Sequence, residues 1–152
     1  MYAVKLNEIK TDEGQIVRPC GYPLSFWPQG TEYAEAYAGE IDFFKHYGTL
    51  CYYTRLVGNV LEMYNCFDTE AQAQAFQDRM QYLSSILLAS PANSDNDPAD
   101  LSDLDKKAVK YSRLRLKTVN ENFGRYLNTF EPNIINMADV DLTGFTRYEC
   151  EY

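Results

Sequence analysis

LCYYTRLVGNVLEMYNCF, residues 50–67, is two runs rich in tyrosine and aliphatic or β-branched residues, joined by Gly58-Asn59. Such runs suit pleated strands, and a two-residue connection with glycine at a positive-φ position is what a tight hairpin needs. The stretch therefore predicts an antiparallel pair over 50–57 and 60–67. Asp68-Thr69 follows at once and supplies a helix N-cap. Ala73, Phe76, Met80, Leu83 and Leu87 then recur at helical spacing, and the helix should end before Pro91.

Working outward toward the N-terminus, Tyr2, Val4 and Leu6 alternate with polar residues. Thr-Asp-Glu-Gly at 11–14 and a short Gln-Ile-Val-Arg at 15–18 complete a second hairpin. Pro19, Gly21, Pro23 and Pro28 punctuate an irregular stretch that contains Tyr22, Phe26 and the single tryptophan, Trp27. Thr31 is the expected N-cap of a helix over 32–46 with Tyr33, Tyr37, Ile41 and Phe44 on one face, closed by Gly48. The pieces Thr31-Glu-x-Ala-x-Ala and Thr69-Glu-Ala-Gln-Ala-x-Ala look alike, but the similarity is short.

Toward the C-terminus, residues 90–103 are dominated by Pro, Asn, Ser and Asp and read as a mobile acidic loop. Ser102 or Asp103 should cap a helix over 104–127. At 100° per residue Leu104, Ala108, Tyr111, Val119, Phe123 and Tyr126 share one side of it, and Lys106, Lys110, Arg113 and Lys117 form a ridge on the other, with Arg115 breaking the pattern. After Phe130 the chain passes through Pro132 and reads as a loop. Tyr148, Cys150 and Tyr152 then alternate with Arg147, Glu149 and Glu151, which predicts a half-buried terminal strand. The sum is an α+β chain of 152 residues in a single domain: an antiparallel sheet, made of two hairpins and the C-terminal strand, packed against about three helices.

Composition bounds the function. Thirteen tyrosines and eight phenylalanines against one tryptophan imply a core and surface built from amphipathic rings, which also suit binding surfaces. Residues 106–125 carry seven of the fourteen basic side chains and one acid, a net +6 inside a chain of net −8, which leaves −14 for the other 132 residues. The mean field of such a chain repels polyanions, so nucleic acid is expected only at a local patch. The opening residues hold no apolar signal region and no run is long enough to span a bilayer, so a soluble, cytoplasmic protein without membrane contact is expected.

Catalytic signatures are absent from the sequence. His46 is the only histidine, which excludes a pair of histidines for metal binding or acid–base relay, and its place in the last turn of a helix is one the dipole favours for a cation. Cys20, Cys51, Cys66 and Cys150 lack ligand spacing and read as core thiols. Phosphate-binding glycine loops, a nucleophile elbow and a zincin helix are all missing. No catalytic residue, metal site or cofactor is expected, and the protein is read as a non-enzyme.

The leading expectation is a small acidic interaction protein that binds and modulates another macromolecule, first of all another protein. Its partner-binding candidates are Trp27, Phe26 and Tyr22 with Glu32, Glu35, Asp95, Asp97 and Asp100. A chain of this kind suits an inhibitor encoded by a virus or mobile element, or a nucleic-acid mimic, for which Glu40, Asp42, Asp139, Asp141, Glu149 and Glu151 add further carboxylates. Two alternatives stand beside it. One is a nucleic-acid-binding module gripping phosphates through Lys106, Lys110, Arg113 and Lys117. The other is a structural subunit of a larger assembly, which self-association would distinguish.

Overall fold

The computed structural model describes residues 1–10, 16–17, 42–58, 60–90, 92–116 and 130–150. Six strands make one antiparallel sheet: β1 (Tyr2–Lys10), β2 (Ile16–Val17), β3 (Cys51–Val57), β4 (Val60–Phe67), β5 (Phe130–Asn136) and β6 (Thr146–Glu149). The sheet is five strands wide in the order β2-β1-β4-β3-β6, and β5 shares the outer side of β1 with β2. The helices are α1 (42–47), α2 (Glu70–Ala89) and α3 (Asp103–Leu116). This is the α+β arrangement the sequence predicts.

The central hairpin closes as expected, with Val57 opposite Val60 and Gly58 at φ +62°. A side chain at that φ would be strained, which is why glycine stands at the turn. α2 begins with a reciprocal capping box. The Thr69 hydroxyl accepts from the Gln72 amide at 3.2 Å, and the Gln72 side chain accepts from the Thr69 amide at 3.1 Å. Its predicted core stripe, Ala73, Phe76, Met80, Leu83 and Leu87, is buried throughout.

Gly48 ends α1 at φ +79°, and a Cβ there would stand 2.9 Å from the Gln72 side-chain nitrogen. The positive φ is what favours glycine at this junction, since the Gln72 amide sits at the end of a flexible side chain that can give way. The Thr31 cap and the residues 32–41 of the predicted first helix lie outside the described residues, as does the tract 117–127 of the third.

The two sheet faces differ. Val4, Met63 and Phe67 face the helices and join Phe43, Phe44 and Phe76 in the main core, with Phe76 in tilted or edge contact with Phe43, Phe44, Tyr47 and Phe67. Asn65 is fully buried on this face with neither side-chain polar atom hydrogen-bonded. The opposite face carries a smaller cluster of Ala3, Cys51, Cys66 and Met137, against which Val140 and Leu142 pack from the segment leading to β6. Beside it Arg55 lies 4.4 Å over the ring of Phe145 and pairs with Glu62 at 2.8 Å.

Two strands depart from expectation. Residues 130–136, read as a loop because of Pro132, form β5 against β1. The register slips there: Leu6 faces Phe130 and Val4 faces Ile134, so two extra residues of β5 are accommodated where Pro132 stands. Proline is tolerated at such an irregularity because no regular ladder bond is required of it. β6 is present, but all four of its residues are exposed rather than half-buried, since no helix covers its end of the sheet among the described residues.

Candidate functional site

α3 and the stretch before it carry most of the described site candidates. Ser102 caps the helix, its hydroxyl accepting from the Asp105 amide at 3.2 Å and its carbonyl from the Lys106 amide at 2.9 Å. With Leu104 at zero and ~100° per residue, the buried arc runs from Ala108 through Asp105 and Val109 to Arg113. It therefore takes in one acid and one base, and each has a partner.

Arg113 is the correction to the basic ridge. Its side chain is 7% exposed; Nε donates to the Ser90 carbonyl at 2.9 Å and the two terminal nitrogens hold both oxygens of Asp97. The helical wheel sets it among the lysines because the apolar residues centre the expected buried face near Ala108, whereas the observed arc extends to Arg113. A planar guanidinium matched to a carboxylate in two-point contact, with a further donor for a helix-end carbonyl, can be buried where a lysine could not. Lys106 and Lys110 are exposed, as is Lys107, and Lys117 lies outside the described residues.

The same contact fixes the acidic stretch. Asp97 is drawn inward by Arg113, so of the acids proposed there it is the one turned away from solvent. The Asp95 amide donates to the Asn93 side chain at 3.1 Å, the Asp97 amide to the Ser94 carbonyl at 3.1 Å, and Leu101 is buried in the main core. Asp95, Asp100 and Asp103 remain exposed on this anchored segment.

Next to it lies a cavity of about 510 Å³ that the sequence did not reveal. His46 and Tyr47 from α1, Asp78 and Arg79 from α2, and Ser102 and Asp105 from the start of α3 line it. Asp105 is almost fully buried. Arg79 Nε donates to its Oδ2 at 2.7 Å, a terminal nitrogen of the same guanidinium reaches the same oxygen, and Oδ1 has no hydrogen-bond partner. The Asp105 contact is also the leading reason that the Arg79 guanidinium is held above its usual pKa.

Burial pushes the Tyr47 phenol up, with Asp105 adding to the effect, so the phenol stays protonated at neutral pH. The ring of exposed His46 stands edge-on to that of Tyr47, 4.8 Å between centroids. The acidic and basic side chains on the wall are Asp78, Asp105 and Arg79, two carboxyl groups to one guanidinium.

Comparison with family models, curated proteins and solved structures gives no match. The chemistry of the site is thus read from its own groups. Its one well-buried carboxylate is engaged by an arginine and its phenol is protonated, so the cavity offers hydrogen bonds and negative charge rather than an activated nucleophile. A cationic side chain or amine is the group that such a wall would accept. Among the described residues no three His, Cys, Asp or Glu groups stand close enough to hold a metal, and no helix is long and apolar enough to cross a membrane.

The remaining candidates divide by position. Trp27, Phe26, Tyr22, Glu32 and Glu35 lie outside the described residues. Cys51 and Cys66 are fully buried free thiols, opposite one another on β3 and β4, with burial raising both above the ordinary thiol pKa. The signal that could have found the cavity was Asp105 itself, a carboxylate between Leu104, Ala108 and Val109 on the buried arc. A charge placed there demands a partner.

Proposed function

We propose that this protein is a small, acidic, non-enzymatic interaction protein that docks a basic surface of another protein on the anchored segment 92–103 and the mouth of the adjoining cavity. The observation that carries the reading is the Arg113 clamp. It removes a positive charge from the surface of α3 and ties down the stretch that bears exposed Asp95, Asp100 and Asp103. A surface already ordered loses less entropy on binding than a disordered one, and a concentration of one sign of charge steers a complementary partner. Asp78 and the Asp105–Arg79 pair would then receive a lysine or arginine of the partner at the cavity.

The test is affinity purification of the tagged chain from its native extract after nuclease treatment, comparing wild type with Asp95→Asn/Asp100→Asn/Asp103→Asn. A stoichiometric protein that survives nuclease and is lost from the triple variant supports the reading. Retention of that protein by the triple variant contradicts it. Material that disappears with nuclease, and with Lys106→Glu/Lys110→Glu, would instead favour the nucleic-acid reading, although the inward turn of Arg113 shortens the basic ridge on which that reading rests.

A further inference from the structure

β6 ends the sheet, and its outer side faces no other strand among the described residues. Its four residues are exposed, Tyr148 by 52%. The pleat of the strand can be read from one bond: the Cys150 amide donates to the Leu50 carbonyl at 3.0 Å, continuing the register in which Tyr52 faces Tyr148 and Thr54 faces Thr146. In an antiparallel ladder hydrogen-bonded and non-bonded pairs alternate. Residues 146, 148 and 150 therefore spend their backbone groups on β3, and Arg147 and Glu149 direct theirs outward.

That parity restricts what can pair with the edge. A second β6 related by a two-fold axis must set 147 and 149 of one copy against odd-numbered residues of the other. If the axis passes at 147 or at 149, like charge meets like charge. If it passes at Tyr148, Arg147 faces Glu149 of the other copy and Glu149 faces Arg147, each as a hydrogen-bonded pair, with the two Tyr148 rings opposed on the other face. Arg147 and Glu149 already touch within the strand and are 45% and 58% exposed, so the four charges would alternate across the junction.

We propose that the β6 edge is a self-association surface, joining two copies of this chain into one continuous antiparallel sheet through Arg147, Tyr148 and Glu149. The interface is isologous, as a two-fold requires, and short, so the dimer forms at high protein concentration and dissociates on dilution. Edge strands are often guarded by charged residues; of the registers that the backbone parity allows, the one centred on Tyr148 makes these charges self-complementary.

Sedimentation equilibrium over a range of concentrations tests this with three samples. Wild type should move from 17.5 kDa toward twice that mass as concentration rises. Arg147→Glu and Glu149→Arg each place like charges opposite one another and should weaken self-association at least tenfold. Mixed in equal amounts, these two variants should restore association as a heterodimer, because the edge of one chain then presents two carboxylates to the two guanidinium groups of the other. Circular dichroism confirms that each variant is folded. A wild type that stays monomeric at the highest concentration, a dimer indifferent to either reversal, or a mixture no more associated than its components would overturn the proposal.

Discussion

Arg113 and Arg147 each hold a carboxylate, yet they do opposite things. Arg113 and Asp97 are 7% and 14% exposed, and a third bond to Ser90 leaves the guanidinium enclosed; Arg147 and Glu149 are 45% and 58% exposed, on a strand whose outer side faces no other strand among the described residues. The buried pair closes a surface and fixes the chain around it, at the cost of removing two charges from water. The exposed pair gives little to stability and stays available to another molecule. Burial, rather than the identity of the partners, decides which arginine is part of the scaffold and which belongs to the surface.

The largest expected effect follows from stranding the buried carboxylate. Arg113→Ala should destabilise the protein by about 3 kcal/mol, the range found when one member of a buried pair is removed, measured by urea unfolding. Arg113→Lys should recover only part of this, since an ammonium cannot span both Asp97 oxygens and the Ser90 carbonyl. If Arg113→Ala unfolds at the wild-type midpoint, the clamp is not a structural element.

Arg79→Ala comes next, at about 2 kcal/mol. Its guanidinium is a third exposed, but it is the neutralising partner of Asp105, which is 2% exposed. A double-mutant cycle with Asp105→Asn should show strong coupling for the pair, and additivity of the two changes would mean that Asp105 is neutralised by something else.

Burial should also govern the thiols beneath the second face. Cys66 is held above its ordinary value of 9.0, by burial first and by neighbouring Cys51 second. A group whose folded pKa is raised contributes fully below the unfolded value, and that contribution is lost as pH rises from there toward the folded value. Stability should therefore be flat from neutral pH to about 9 and then fall, by up to about 1.4 kcal/mol per pH unit for one proton. Cys66→Ala should make this alkaline slope shallower, the remainder coming from Cys51 and Tyr47, which burial also raises; an unchanged slope would assign it to those groups alone.

The smallest effect is expected at the exposed pair. Arg147→Ala should leave the unfolding midpoint of the dilute protein unchanged within error while altering self-association. A clear loss of stability in the monomer would contradict the contrast between the two arginines.

Legibility in the sequence followed the same division. The central hairpin and α2 were readable because strand composition, turn glycine, capping residues and helical period all pointed one way. β5 was hidden by Pro132, a residue that argues against strand until the slipped register with β1 is seen. β6 was readable as a strand but not as an exposed edge, since alternation says nothing about whether a second layer covers it. The cavity draws on α1, α2 and α3, segments brought together only by folding. Arg113 was misplaced because a wheel sorted by hydrophobicity puts every charge outside, and charges buried in pairs are where that assumption fails.

Amide hydrogen exchange across residues 92–106, in wild type and in Arg113→Ala, tests most directly whether the acidic segment is a fixed platform. The amides of Asp97, Asp105 and Lys106, bonded to the Ser94 carbonyl, the Ser102 hydroxyl and the Ser102 carbonyl, should be protected in wild type, and Asp97 should lose its protection in the variant. Exchange of Asp97 at the rate of an unstructured chain in the wild-type protein would contradict the account, and return 92–103 to the mobile loop that its composition alone suggests.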